Sequence, residues 1–222
     1  MRVRQENLNR RGRYAGVSLE HSLTAQTVVF EMVEVGHEHY IRTPLRDGRA
    51  SSFGVGVRAQ ATALLSGSVF IGRRMYSSKT STLDNFQGLN WQANLAFTRP
   101  RYNVLLDARR DYYASYSVGL GRYSSTGGSI YASAHISTRV DAYATASRYS
   151  LQYGANAPGT AGRYASNGAG VVYRFTRVLL GATSEFYDQR GGGAIHGQRF
   201  TTYVQVGGGR IRRLDRPLPG ER

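Results

Sequence analysis

The sequence predicts an all-β chain: an antiparallel up-and-down transmembrane β-barrel of about twelve strands, with short turns on one rim and longer loops on the other. Three observations lead there. Apolar and polar residues alternate with a period of two through successive segments, and short and long polar connections alternate between those segments. No run approaches the roughly 18 consecutive apolar residues of a transmembrane helix, whereas a barrel strand needs apolar residues only at every second position.

The elements follow as hairpins. Residues 14–34, YAGVSLEHSLTAQTVVFEMVE, form the first and least regular one. In 52–74, SFGVGVRAQ and SGSVFIGRR flank ATALL; in 87–112, QGLNWQANLAF passes through TRPR to YNVLLDARRDY. In 128–149, GSIYASAHI gives way to STR and VDAYATASRY, and in 166–187, SNGAGVVYRF leads through TR to VLLGATSEFY. The strand 199–208, RFTTYVQVGG, begins a further unit that GRIRRLDRPLPGER does not complete. This gives about eleven strands, an odd number that a barrel rounds most simply to twelve. A repeat of about 35 to 40 residues also suits propeller blades, but each blade needs about four strands and each repeat here supplies two. The longer connections lie near 36–50, 75–86, 113–127, 150–165 and 188–198. The domain division is 1–12 as a basic N-terminal segment, 13–208 as the barrel, and 209–222 as a basic, proline-containing tail or partial final strand.

Composition narrows the function classes. With 27 Gly and 16 Tyr, large aliphatic residues are thinly spread. The absence of Cys removes disulfides, thiolate metal sites and Cys nucleophiles. A formal charge of +15, almost all from Arg distributed end to end, favours an anionic partner. The start MRVRQENLNRRG is basic but is followed by no hydrophobic segment, so it does not read as a secretory signal peptide.

The two parities of each strand differ in character. In LNWQANLAFT, Leu89, Trp91, Ala93, Leu95 and Phe97 oppose Asn90, Gln92, Asn94, Ala96 and Thr98. A soluble sandwich would turn the apolar parity inward. Strands of about nine to eleven residues and aromatic residues at their ends favour the inverse, with lipid outside and a polar lumen within. The lumen-lining candidates are Arg58, Arg74, Asn90, Gln92, Asn94, Asp107, Arg109, His135, Asp141, Arg174 and Glu185. Opposed Arg and carboxylate side chains either create a transverse field in a water-filled lumen or neutralise each other in a closed one. Trp91, Phe97, Tyr102, Phe175 and Phe186 are the membrane-interface candidates, and the outward-parity Arg73, Arg110 and Arg148 are placed to meet anionic headgroups near strand exits.

Other chemistry is weaker. EVGHEH brings Glu34, His37, Glu38 and His39 together, but no third ligand is specified and the helical HExxH spacing is absent, so a polar rim segment is expected rather than a metal site. His135 is expected to form a structural hydrogen bond with Asp107 or Asp141. The GGG runs at 191–193 and 207–209 lack the context of a phosphate loop. No catalytic group, metal or cofactor is assigned.

The pairs SNGAGVVYRFTRVLLGATSEFYDQR and FQGLNWQANLAFTRPRYNVLLDARRDYYAS resemble the outer-membrane β-barrel porins of Gram-negative bacteria that accompany exopolysaccharide or capsule loci. The likeness covers roughly residues 50–208: a glycine-rich apolar strand, a short Thr-Arg turn, a small-residue strand and an aromatic-polar exit. It implies a noncatalytic porin in the bacterial outer membrane that passes small or anionic solutes or takes part in exopolysaccharide export. The expected partners are outer-membrane lipids, an anionic solute or polysaccharide, and a protein of an export system. Two alternatives stand beside it: a closed structural membrane barrel whose loops bind a protein or surface polymer, and a soluble basic nucleic-acid-binding β protein. Nucleic acid is disfavoured by the lack of a recognition helix, zinc finger or RNP-like motif.

Overall fold

The computed structural model describes residues 10–41, 44, 47–79, 85–114, 122–153, 161–175, 178–190 and 195–206. Eleven strands follow one another: β1 (Arg10–Thr24), β2 (Thr27–Tyr40), β3 (Gly48–Gln60), β4 (Leu65–Ser78), β5 (Phe86–Thr98), β6 (Tyr102–Ala114), β7 (Arg122–His135), β8 (Val140–Tyr153), β9 (Ala161–Arg174), β10 (Val178–Arg190) and β11 (Ile195–Val206). Each pairs antiparallel with the next, in one sheet ordered β1 to β11. The expected parts 1–9 and 207–222, the turn 176–177, the run 191–193 and the centres of several long loops lie outside the described residues.

The expected closed barrel of about twelve strands is not formed. Among the described residues no ladder joins β1 to β11; with an odd number of alternating strands these two run in the same direction, so the antiparallel pairing that joins every other neighbour is not open to them. A lipid-spanning sheet has to close, because hydrocarbon does not satisfy the backbone groups of an open edge. The transmembrane wall, the enclosed lumen and the outer-membrane location are therefore corrected to an open antiparallel sheet. Porin-like passage or export through a lumen falls with them, and so does the closed structural barrel. Among the described residues no helix is long and apolar enough to cross a membrane, which does not bear on strands.

The strands are also longer than expected, from 12 to 15 residues. Segments rich in Ser, Gly and Tyr that read as loops join the ladders: Tyr123 pairs with Tyr113 and Ser125 with Asp111, and Arg163 pairs with Ser150. Their polarity reflects the face they occupy. At the short turns, side chains replace the missing ladder bonds: the Thr62 hydroxyl accepts from the Leu65 N–H at 3.0 Å, and the Ser137 hydroxyl from the Val140 N–H at 3.1 Å. In the Arg99-Pro100 turn, Arg99 and Tyr102 exchange backbone bonds of 2.7 and 3.2 Å.

Contacts between strands two apart show which way the sheet curves. Phe30 on β2 stacks on Phe70 on β4 at 6.2 Å, Arg74 on β4 reaches Asp111 on β6 at 2.9 Å, and Glu20 on β1 lies 3.6 Å from Arg58 on β3. All belong to the polar parity, so that face is concave. Glycine permits the approach: a Cβ at Gly56, between Phe30 and Phe70, would lie 2.3 Å from the Phe30 ring. The apolar parity is convex and open, with Val17 68 %, Val69 57 % and Phe200 72 % exposed. Burial is confined to clusters near the strand ends and on the concave side, including Tyr40 with Ala50 and Tyr76, and Val172 with Leu179.

Candidate functional site on the concave face

Register assembles the polar face. One row of directly opposed residues runs Arg58, Ser68, Asn94, Asp107, Ser129, Ser147 and Ser166 from β3 to β9. The next row carries Phe70, Gln92, Arg109, Gly127, Tyr149 and Tyr164 from β4 to β9. Because Gly127 has no side chain, the Arg109 guanidinium crosses it and lies 5.6 Å from the Tyr149 ring centroid. Tyr149 in turn faces Tyr164 at 6.5 Å, and Tyr131 faces Tyr143 at 5.9 Å.

A cavity of about 310 Å³ opens on this face between β2 and β6, with Glu34, Ser52, Arg74, Asn90, Gln92 and Arg109 among its lining residues. Arg74 is held by Asp111, whereas Arg109 stands 3.8 Å from Asp107, too far for a hydrogen bond. Asp107 instead accepts from the Gln92 amide at 3.1 Å, and Asn94 accepts from the Ser68 hydroxyl at 2.8 Å. The buried Asn90 amide oxygen has no partner, so the cavity offers an acceptor and a loosely held guanidinium to an incoming molecule. Burial opposes the charge of Arg109, but Tyr113, Tyr149 and Asp107 outweigh it and raise its pKa.

The remaining sequence candidates form separate pairs. Asp141 on β8 joins His135 on β7 to Arg174 on β9, with side chains 12 %, 25 % and 16 % exposed. Of the two partners expected for His135, Asp141 is the one observed. Glu185 binds Arg199 on β11, and Arg58 faces Glu20 while covering the Phe30 ring at 5.4 Å. Each Arg of the predicted set thus has a carboxylate neighbour, and the concave face is largely self-compensated.

Of the expected interface residues, Tyr102, Phe175 and Phe186 are about half exposed on the surface. Phe97 lies under the Arg99 guanidinium at 5.5 Å, and Trp91 pairs with Arg110. Of the EVGHEH residues, Glu38 and His39 are tied into the rim, where His39 bonds Asp47 at 2.7 Å and Glu38 accepts from the Tyr14 hydroxyl at 2.7 Å, while Glu34 lines the concave cavity. No group of metal ligands occurs among the described residues. Tyr149, Tyr164, Glu20 and Arg199 were missed as site residues. Their strand parity carried the signal, but their partners lie one or two strands away and required the register.

Residues 2–207 match the family described as "Putative beta-barrel porin 2". The chain belongs to this family. It is a porin-like β-sheet protein. No curated protein matches the chain. It is similar to a solved chain from work named "Unveiling the Mechanism Behind the in-meso Crystallization of Membrane Proteins", at 14% identity, covering 89% of this chain and 77% of that one with a TM-score of 0.35.

Proposed function

We propose that this family member is a noncatalytic binding component for an anionic, carboxylate-bearing polysaccharide, in keeping with the exopolysaccharide and capsule association that the sequence resemblance implies. The observation that carries this reading is the concave cavity beside the Arg109–Tyr149 stack. A uronic acid carboxylate would take the two parallel donors of the Arg109 guanidinium in place of its long contact with Asp107. Sugar hydroxyls would donate to the Asn90 oxygen that has no partner, and the Tyr149 and Tyr164 rings would supply amphipathic faces along the row.

The experiment is calorimetric titration of the full chain with polygalacturonate and with neutral dextran. Saturable, salt-sensitive binding is expected for polygalacturonate only, weakened about tenfold by Arg109→Gln, the range for a hydrogen-bonded charge pair. Equal binding of the two polymers, or an unchanged affinity in Arg109→Gln, refutes the reading.

A further inference from the structure

We propose that the convex face carries a separate site for an anionic phospholipid, with its phosphate headgroup on Arg148, Arg163 and Arg190 and an acyl chain in the adjoining trough. The site is independent of the polysaccharide reading, since it lies on the opposite side of the sheet and shares none of the guanidiniums.

The trough is a cavity of about 940 Å³ crossing the middle strands. Its floor exists because small residues coincide across the ladders: Ala93 opposes Ala108, Ala108 opposes Gly128, and farther on Ala165 stands between Arg148 and Asp188. From β5 to β9 this floor spans about 19 Å at the usual interstrand spacing. Leu95, Leu106 and Ile130 form a bank, and each is about 40 % exposed. Such a surface is unfavourable against water and suits a flexible hydrocarbon chain.

The charged end is what specifies the headgroup. Arg163 and Arg190 are directly opposed in the β9–β10 ladder, an arrangement of like charges that disfavours the pairing. One carboxylate, Asp188, serves this cluster: its Oδ2 accepts from Arg190 at 3.1 Å, and its Oδ1 lies 2.9 Å from the His196 ring without a hydrogen bond. Arg148 and Arg163 have no ion-pair partner among the described residues. A phosphate placed here supplies the counter-charge that Arg148 and Arg163 lack, offsets the repulsion between Arg163 and Arg190, and leaves its acyl chain beside Ala165, at the entrance to the trough. The concave guanidiniums differ in this respect, since each has its own carboxylate.

The test is native mass spectrometry of the full chain in a nonionic maltoside detergent, with phosphatidylglycerol, phosphatidylcholine or inorganic phosphate added. One phosphatidylglycerol per chain is expected to bind saturably, with phosphatidylcholine binding more weakly. Arg148→Gln with Arg163→Gln lowers the phosphatidylglycerol affinity about tenfold or more, since each basic side chain near an anionic headgroup contributes a factor of about five. Ala146→Leu, which fills the trough, also weakens it, while Arg73→Gln elsewhere on the convex face leaves it unchanged. Without lipid, Arg163→Gln alone is expected to raise the unfolding midpoint, which shows that the variant folds. Equal binding of the two lipids, insensitivity to the double Arg variant, or complete competition by inorganic phosphate overturns the proposal.

Discussion

The Arg109 guanidinium on β6 lies over the Tyr149 ring on β8, 5.6 Å from its centroid, and the strand between them contributes only Gly127 at that level. A Cβ at Gly127 would lie 2.0 Å from the Arg148 carbonyl oxygen and 2.8 Å from the Tyr149 ring. Backbone cannot yield as a side-chain tip does. Gly127→Ala is therefore expected to destabilise the chain by about 1–3 kcal/mol, the usual cost of overpacking, in urea unfolding. A cost below a few tenths would show that β7 shifts freely.

Asp141 holds two partners from two neighbouring strands. Asp141→Asn leaves the largely buried Arg174 without its counter-charge and is expected to cost about 3 kcal/mol. Replacing both residues together, as Asp141→Leu with Arg174→Met, is expected to cost less than the sum of the two single changes. Additive losses in a double-mutant cycle would remove the coupling.

The rim Asp47 sets a pH dependence. Burial opposes its charge, but hydrogen bonds from His39 and the Tyr40 N–H, with the charges of His39 and Lys79, outweigh that and hold its pKa below the ordinary 3.8. Below that ordinary value the unfolded chain binds more protons than the folded one, so stability falls as the pH falls. The contribution is fully present well above 3.8 and is lost as the pH passes through the depressed folded pKa. Unfolding free energies measured from neutral pH downward are expected to decline less steeply below this value in Asp47→Asn than in the unsubstituted chain.

The outer edges of β1 and β11 have no neighbouring strand among the described residues. Val204 and Val206 near the end of β11 are 66 % and 74 % exposed, which makes this edge a template for strand addition. Concentration-dependent association is expected in analytical ultracentrifugation, and Val204→Lys is expected to reduce it without lowering the unfolding midpoint. Unchanged association in Val204→Lys would place the contact elsewhere.

Much of the concave face was legible in the residues. The alternation in LNWQANLAFT puts Asn90, Gln92 and Asn94 together on one side, and the ladders with β6 place Arg109 and Asp107 opposite Gln92 and Asn94. The pairing of Arg74 with Asp111 was not legible. It depends on β4 and β6 bending toward each other over β5, which no local pattern states. The SGS- and Tyr-rich starts of β7 and β9 read as loops because turn residues and concave-face residues share the same small, polar composition.

The sequence by itself determined the antiparallel hairpins, the count of about eleven strands and the division into two faces, because a period of two is a local property of an extended chain. Only the tertiary structure decided that the edges stay apart and which charges meet. Closure depends on whether the twist and curvature accumulated over eleven strands bring the edges of β1 and β11 together, and pairing depends on cross-strand register and curvature. Each of these relates residues far apart in the chain, so no segment carries it alone.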